Sequence, residues 1–355
     1  MDTNNQDFYD TGLEPLARIR LATRSLFDSP LEGVELSGPV SVLQSVFAEM
    51  TGFNSYLDQM TVGRTETANG VAISPSGAAR CIHQHTRTVQ YLRGVYKAIL
   101  AKRKEISDRP VQVFYAGCGP YATLAVPILS VLSAAEVQYS ILDIHKHSLD
   151  MASSMIDDLG LSHGVREFIQ ADAAEYRFES GKEPDIIISE VMCNALSNEP
   201  QVAVSSNLAL QAPEATLLPE EIRLDLELLH LKGHRKTSMS TPGSLTPYQR
   251  SPKGTLFVLD RGNIEVWGEL GEASELPAAI IEDSRFTDPE WRPFLFTRII
   301  VFDDIELRDF QSELNLPLIV TDWEDTPQTD TVEFFYELGQ FPKINFRLPE
   351  HAEKA

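Results

Sequence analysis

The sequence VQVFYAGCGPYATL spans residues 111–124 and marks the point where a helical pattern gives way to a different one. Its apolar first half predicts a buried β-strand. Gly117 and Gly119 follow at the predicted end of that strand, where glycine lets the backbone turn tightly and approach a ligand closely. Pro120 and Tyr121 stand where a dinucleotide-binding turn would begin its helix. The Gly-x-Gly pair therefore suggests a nucleotide site without being specific for one.

Strands and helices alternate after this turn. The apolar runs VQYSILD, REFIQAD and PDIIISE predict strands over 137–143, 166–172 and 184–190. Amphipathic patterns over 146–161 and 201–211 predict helices. This alternation is typical of βαβ units, so the segment predicts an α/β fold with a mostly parallel sheet.

The chain has a different character on each side of this segment. Apolar residues three and four apart over 13–27, 38–60 and 78–105 predict helices before it. After it, helical patterns vanish and short apolar runs are separated by Pro, Gly and Asp, which predicts strands. These runs are 222–231, 255–260, 263–270, 294–307, 316–320, 332–338 and 344–348.

These patterns predict three parts of the chain. Residues 1–107 form a helical N-terminal region or lid, residues 108–218 a Rossmann-like cofactor-binding domain, and residues 219–355 a β-rich barrel or sandwich. The polar stretch 236–254, rich in Pro, Gly and Ser, predicts a long loop in the last part.

Composition narrows the classes of partner. The 355 residues carry a formal net charge of −22, which repels nucleic-acid backbones and anionic lipid surfaces. Such a charge attracts a cationic substrate, although solubility alone also accounts for it. The three cysteines show neither a disulfide framework nor zinc spacing, which fits a reducing cytoplasm. No apolar run approaches the roughly 18 residues that a membrane helix requires.

Two predicted strands end in an aspartate. Asp143 ends the second strand, 24 residues after Gly119, and Asp172 ends the third. An acid at the first place can accept hydrogen bonds from both ribose hydroxyls, and a group at the second can bind an adenine amino group. The alternative for each is helix capping or simple solvation.

The series AGCGP, ILD, ADA and SE resembles the motif pattern of class I S-adenosylmethionine-dependent methyltransferases. The resemblance implies that Gly117 and Gly119 hold the methionine part of S-adenosyl-L-methionine. It also implies that Asp143 binds the ribose, and that Asp172 and Ala173 bind the adenine. The cofactor implied by the resemblance is therefore S-adenosyl-L-methionine.

Two further residues concern the methionine part of that cofactor. The family usually carries an acid two residues before the first glycine, where it holds the methionine ammonium, whereas this chain has Tyr115. The ring either contacts the ammonium by a cation–π interaction or belongs to the core. The segment HTRT, residues 85–88, resembles the family helix whose arginine pairs with the methionine carboxylate, which implies that role for Arg87. The alternative for Arg87 is a solvated position on a helix.

The stretch SEVMCNALSNEP, residues 189–200, resembles the double-glutamate loop of protein arginine methyltransferases, with Ser-Glu-x-Met and a second glutamate nine residues after the first. The resemblance implies that Glu190 and Glu199 clamp a substrate guanidinium as catalytic residues, with Met192 beside the substrate. A guanidinium pairs bidentately with carboxylates, and transfer then depends mainly on positioning, with no metal. The alternative is that Glu199 begins or caps the helix over 201–211.

The resemblance extends beyond the sheet. ATLLPEEIRLDLELL, residues 215–229, resembles the strand that leads into that family's C-terminal β-barrel. TDW, residues 321–323, resembles its threonine-histidine-tryptophan loop, with Asp322 in place of the histidine. Tyr176 is a further candidate for contact with substrate or sulfonium through its ring. The Gly-Pro form of the glycine turn and Asp322 in place of the histidine suggest a distant relative that acts on a small molecule.

The predicted function is methyl transfer from S-adenosyl-L-methionine to a guanidinium, in free arginine, a derivative or a peptide. Three alternatives stay open: methylation of another amine or hydroxyl, with Glu190 or Glu199 as general base; a cyclase that releases methylthioadenosine; and a cofactor-binding protein without turnover. The predicted partner is a small cationic molecule or an arginine-containing substrate. A homodimer is compatible with the resemblance, although no dimerisation arm is recognisable.

Overall fold

The structure is a computed structural model, and it describes residues 12–28, 33–53, 63–230, 249–269, 273–320, 323 and 329–348. Helices occupy most of the described chain before the central sheet, as the apolar spacing predicted. They are α1 (Pro15–Asp28), α2 (Ser37–Thr51), α3 (Pro75–Arg80) and α4 (His85–Glu105). The predicted helix over 78–105 is interrupted by a 3-10 turn at Cys81–His83, so that α4 begins afresh beside Arg87. The end of the predicted helix over 38–60 lies outside the described residues.

An antiparallel hairpin lies between α2 and α3 and was not predicted. Its strands are β1 (Thr65–Thr67) and β2 (Gly70–Ala72), and Thr67 pairs with Gly70 across a two-residue turn. Each strand has only three residues, Thr-Glu-Thr in β1 and Gly-Val-Ala in β2, which is too short to show an alternating apolar pattern.

A five-stranded parallel sheet forms the centre of the molecule. Its strands are β3 (Val111–Ala116), β4 (Val137–Asp143), β5 (Val165–Gln170), β6 (Ile186–Ser189) and β7 (Thr216–Leu218), in the order β5-β4-β3-β6-β7. The helices α5 (Val126–Val131), α6 (Lys146–Asp158) and α7 (Gln201–Gln211) connect them. Successive strands run outward from β3 to β5, and the chain then returns to the other side of β3 as β6. This reversal is the switch point at which open α/β sheets bind ligands.

The remaining strands are antiparallel, as expected for a β-rich C-terminal part. One sheet has the order β12-β11-β8-β9 with β13 paired to β11, and the other has the order β10-β14-β15. The strands are β8 (Glu221–His230), β9 (Arg250–Asp260), β10 (Glu275–Glu282), β11 (Trp291–Phe302), β12 (Ile305–Leu307), β13 (Leu318–Ile319), β14 (Thr331–Glu337) and β15 (Lys343–Arg347). Alternate residues are buried in the first half of β8, which is the pattern of a sheet with one apolar face, and residues 226–229 are buried on both faces.

The prediction that helices vanish after residue 219 was wrong at one place. Residues predicted as a strand over 263–270 fall mainly in α8 (Arg261–Gly268). Asp260 caps this helix by accepting a hydrogen bond from the Asn263 backbone at 2.8 Å, and Trp267 stacks on Phe257 with ring centroids 5.0 Å apart. The cap satisfies a free helix-terminal N–H, and the ring burial offsets the weak helix propensity of the segment.

Two smaller differences concern the ends of predicted elements. The strand predicted over 294–307 is divided at Asp303, whose left-handed φ of 55° makes the turn between β11 and β12. The loop predicted over 236–254 gives way to β9 at Arg250, and its residues 236–248 lie outside the described chain. Within the described residues, no helix has the length and apolar character needed to cross a bilayer.

Candidate active site

The register of the parallel sheet brings three predicted site residues into one row. Ala116 of β3 pairs with Leu142 of β4 on one side and with Ser189 of β6 on the other. The residues that follow these three are Gly117, Asp143 and Glu190. The glycine turn, the predicted ribose acid and the first glutamate are therefore neighbours at the carboxyl edge of the sheet.

Gly117 and Glu190 meet through the backbone and through Val191. Gly117 has a φ of +80°, and a Cβ there would clash with Cγ1 of Val191. The left-handed φ and the close approach both require glycine at this point. Gly119 has a φ of +62°, and a Cβ there would lie 3.1 Å from Cβ of Ala78 in α3. The turn thus keeps a smooth backbone surface toward the space above the sheet.

Asp143 ties the glycine turn to the next loop. Its carboxylate accepts hydrogen bonds from the backbone N–H of Gly119 at 2.9 Å and of His145 at 2.8 Å. The side chain is buried, yet it faces the cavity above the sheet. A carboxylate has about four acceptor positions, so capacity remains for the hydroxyls of a ligand.

A single cavity of about 1040 Å³, counted with its open mouth, lies over this edge. Its lining mixes apolar and polar groups, as the lining of a small-molecule site does. All nine predicted cofactor-binding and catalytic residues lie in its wall. These are Arg87, Tyr115, Gly117, Gly119, Asp143, Asp172, Ala173, Glu190 and Glu199.

Asp172, a predicted adenine contact, and Tyr115, which stands where the family has an acid for the methionine ammonium, both make contacts within the protein. Asp172 lines the cavity and also accepts a hydrogen bond from the Ala174 backbone at 2.9 Å, so local capping and access to the cavity coexist. Tyr115 is buried within the core and lines the cavity as well. Each residue therefore has a structural role, as a cap or in the core, and also lines the cavity.

Two predicted substrate residues, Met192 and Tyr176, are not among the residues that line the cavity. Met192 is buried behind it, where its sulfur accepts a weak hydrogen bond from the Tyr91 hydroxyl at 3.6 Å. Tyr176 stacks on Phe114 with ring centroids 5.1 Å apart. Asp322 lies outside the described residues.

Arg87 provides a cationic partner for Glu190. The Arg87 guanidinium donates to Oε1 of Glu190 across the cavity wall, and only 9% and 14% of the two side chains is exposed. Sequence reasoning expected a cation near the two glutamates, and a buried carboxylate does require one. The cation already present belongs to the chain itself.

Glu199 lines the same cavity, and the pKa of its carboxyl group is raised. Burial raises the pKa of its carboxyl group from 4.5 to about 7; the positive charge of Arg87 lowers that pKa and the negative charge of Glu190 raises it. At neutral pH the carboxyl group is therefore divided between its protonated and ionised forms. A group with such a pKa is well matched to accept a proton near neutrality.

The loop that joins the two glutamates, residues 190–199, has an unusual backbone. Ala195, Leu196 and Asn198 have φ values of 52°, 53° and 61°, in the left-handed region. Asparagine tolerates this region, but each of the other two costs on the order of 1–3 kcal/mol. Such a conformation persists only when surrounding contacts hold it.

The C-terminal sheets supply three of these contacts. The Ala195 backbone N–H donates to the Thr297 hydroxyl at 3.0 Å. The Tyr336 hydroxyl donates to the Leu196 carbonyl at 2.7 Å. The Asn198 backbone N–H donates to the Pro342 carbonyl at 2.7 Å. Each contact falls on one residue of the strained stretch.

The hairpin β1–β2 contacts the same loop from the other side. The Val71 backbone N–H donates to the Asn198 carbonyl at 2.8 Å. A Cβ on Gly70 would lie 2.7 Å from the Pro200 nitrogen, so the hairpin backbone rests directly on the chain that carries Glu199. At its other end the hairpin reaches the cofactor side, where the Thr65 hydroxyl lies 3.1 Å from Nε2 of His145.

Gln201 fixes the backbone on both sides of Glu190 and was missed in the sequence. Its fully buried side chain accepts from the Val191 N–H at 3.0 Å and donates to the Ser189 carbonyl at 2.9 Å. The position of Gln201 at the start of a helix, just after the second glutamate, was the only available signal.

Among the described residues, no group of three His, Cys, Asp or Glu side chains is arranged to hold a metal ion.

Comparison with known proteins gives a likeness to solved structures only. No family model and no curated protein matches the chain. Similar structures include the Trypanosoma brucei PRMT1 enzyme–prozyme heterotetrameric complex with AdoHcy, at 13% identity and a TM-score of 0.47 over 73% of this chain and 86% of that one. Arabidopsis thaliana protein arginine methyltransferase 10, in an open conformation, has the same identity and TM-score over 75% and 96%.

Both structures belong to the family that the sequence motifs resemble. The chemistry proposed below is derived from the cavity and its residues, not from this likeness.

Proposed function

We propose that the protein is a methyltransferase that uses S-adenosyl-L-methionine and methylates a guanidinium nitrogen. The observation that carries this proposal is the placement of Glu190 and Glu199 in one cavity with the glycine turn and Asp143. Two carboxylates in one cavity favour a cationic guest, and a planar guanidinium suits them best.

The residues in the cavity wall fit the cofactor. The glycine turn offers an approach free of side chains, and Asp143 has acceptor capacity for ribose hydroxyls. Asp172 and Ala173 lie where adenine would follow, and Arg87 supplies a cation for the methionine carboxylate. When bound, the cofactor supplies an electrophilic methyl group on a sulfonium. Tyr115 lies in the wall near the turn, where an acid is absent.

Glu190 and Glu199 then have separate tasks. Glu190 shares its carboxylate between Arg87 and the acceptor, and so orients a guanidinium relative to the methionine end of the site. In methyl transfer the acceptor nitrogen would gain the methyl group as the sulfur–methyl bond of the cofactor breaks, and the nitrogen would lose one proton. Glu199 would accept that proton. A pKa of about 7 gives Glu199 both enough ionised form and enough basicity for that transfer.

A second candidate is methylation of a different amine or a hydroxyl. The Arg87–Glu190 ion pair favours it, because Glu190 already has a cationic partner within the chain, which leaves Glu199 available as the general base. The acceptor then needs no guanidinium.

A product assay tests the proposal and separates it from the second candidate. Purified protein is incubated with isotopically methyl-labelled S-adenosyl-L-methionine and separately with arginine, an arginine-containing peptide, simple amines and alcohols. Mass spectrometry then follows the acceptor and the cofactor product. Label on a guanidinium nitrogen with release of S-adenosylhomocysteine supports the proposal. Label only on amines or alcohols supports the second candidate.

Two further results would overturn both. Release of methylthioadenosine without an acceptor would indicate cyclisation of the cofactor, and tight cofactor binding without any product would indicate a protein without turnover. Glu199→Gln serves as the active-site variant, and Glu105→Gln, at an exposed glutamate at the end of α4, is the matched control. The first should lose turnover, whereas the second should retain it.

A further inference from the structure

We propose that Gly70 and Tyr336 are positioning residues that hold Glu199 in place from opposite sides of the loop over 190–199. This inference rests on the proposed function, in which Glu199 acts on the acceptor. In this role Gly70 of β2 and Tyr336 of β14 support the site by contacting the loop, and neither of them lines the cavity.

The loop cannot hold its own shape. Its left-handed residues Ala195, Leu196 and Asn198 lie directly before Glu199, so relaxation of their backbone would turn the Glu199 side chain away from its present direction. Within the loop, the hydrogen bonds of this stretch are short-range, from Ser197 N–H to the Asn194 carbonyl and from Glu199 N–H to the Ser197 carbonyl. Contacts from elsewhere must therefore maintain the strained conformation.

Tyr336 provides the contact from the C-terminal side. Its side chain is fully buried and stacks on Phe257 with ring centroids 4.8 Å apart, so the position of its hydroxyl is fixed by the core of the β-rich part. That hydroxyl donates to the Leu196 carbonyl at 2.7 Å, in the middle of the left-handed stretch. A buried phenol requires such a partner, and the partner is thereby held in turn. Thr297 reinforces the contact one residue earlier through Ala195.

Gly70 provides the contact from the N-terminal side. With a φ of +147° and no side chain, its Cα lies against the Glu199–Pro200 peptide; a Cβ would be 2.9 Å from the Glu199 carbonyl carbon. The adjacent Val71 N–H bonds the Asn198 carbonyl at 2.8 Å. The hairpin therefore supports the peptide bonds on both sides of Glu199.

The two supports come from positions far apart in the chain. Gly70 belongs to the hairpin that precedes the central sheet, and Tyr336 belongs to a strand of the C-terminal part. Neither is expected to contact a cofactor or an acceptor, because neither lines the cavity. Their effect on turnover would act through the loop that carries Glu199.

The test uses Tyr336→Phe and Gly70→Ala in the full chain, each with a matched control. Tyr139→Phe also removes a fully buried hydroxyl that bonds a backbone carbonyl, that of Leu124 at 3.2 Å. Gly254→Ala also places a side chain at a positive φ, +103°, but with open space around it. Three properties are measured: hydrogen exchange of peptides that cover 191–199, affinity for S-adenosylhomocysteine, and kcat and KM for the methyl acceptor.

Both test variants should exchange faster in 191–199, lose about tenfold or more in kcat, and keep their affinity for S-adenosylhomocysteine within about threefold. The controls should leave exchange of this loop and kcat near the wild-type values. Unchanged exchange in both test variants would overturn the proposal, as would equal effects in the controls. Should either test variant fail to fold, Thr297→Val replaces it, with the same expected acceleration of exchange.

Exchange and turnover separate this inference from the proposed function. The exchange measurement needs no acceptor and no turnover, so faster exchange in an otherwise inactive protein would uphold the two supports and reject the methyltransferase. If both variants showed normal hydrogen exchange and normal methyl transfer, the methyltransferase would be upheld and the two supports would be rejected.

Discussion

Ala116 of β3 and Ser189 of β6 are paired across the centre of the parallel sheet, so the residues that follow them, Gly117 and Glu190, leave the sheet side by side. This pairing places a turn suited to the cofactor next to a carboxylate suited to a cation. The side chain of Glu190 then forms an ion pair with Arg87 of α4, which also lines the cavity.

The Gly117 turn should tolerate no side chain. In Gly117→Ala the new Cβ would clash with Val191. This clash should lower the free energy of unfolding by about 1–3 kcal/mol, in addition to the cost of the positive φ, and should weaken binding of S-adenosylhomocysteine. Gly181→Ala is a closely matched control, since Gly181 has nearly the same φ, +79°, with nothing within 4 Å. Calorimetric titration and urea unfolding of both variants measure the difference. Equal affinity in the two variants would contradict the role of the turn.

The Arg87–Glu190 ion pair should matter more for folding than an exposed pair does. Arg87→Met leaves a largely buried carboxylate without its partner and should cost about 3–5 kcal/mol of unfolding free energy. The double variant Arg87→Met/Glu190→Gln should recover much of that loss, since no unpaired charge remains. Lys146→Met breaks the exposed pair with Asp150 and should cost no more than about 1 kcal/mol. Urea unfolding of the three variants tests this, and a double variant no more stable than the single one would contradict it.

Stability should depend on pH through Glu199. Its pKa is about 7 in the folded protein and about 4.5 when unfolded, so between these values the folded state binds more protons than the unfolded state. Stability from this group is therefore complete below about pH 4.5 and falls as pH rises through 7, by about 3 kcal/mol in total. Glu199→Gln should flatten this part of the profile. Urea unfolding from pH 5 to pH 8 measures it, and an unaltered slope in the variant would contradict the assignment.

Asp143 should be required for cofactor affinity because it is an acceptor on both oxygens. Asp143→Asn replaces one acceptor by a donor and sets it against the N–H of Gly119 or of His145. Affinity for S-adenosylhomocysteine should fall by about tenfold or more. Asp150→Asn, on the exposed face of α6, is the control and should bind as the wild type does. Calorimetry provides the measurement, and similar affinities for the two variants would argue against a ribose contact.

The sequence predicted the edge of the sheet well because that edge depends on local patterns. Apolar runs predict parallel strands, and parallel strands place the residues that follow them together, which is why Asp143, Glu190 and the glycines could be grouped in advance. Glu199 needed the family resemblance, since its position depends on a loop with left-handed residues that no periodicity announces.

Other parts depended on contacts that are distant in sequence. Tyr336 and Thr297 reach the loop only through the arrangement of the β-rich part, and nothing near them in the sequence points to it. The Asn69–Gly70 dipeptide was a general turn signal that could have been used, although Gly70 itself begins β2. Trp267 was read within a strand because the capping role of Asp260 was overlooked.

The most direct test of the account is a crystal structure of the protein with S-adenosylhomocysteine and an arginine-containing acceptor. The account predicts the ribose on Asp143, the adenine beside Asp172 and a guanidinium held between Glu190 and Glu199. A cofactor bound elsewhere, or an acceptor guanidinium that contacts neither glutamate, would contradict it.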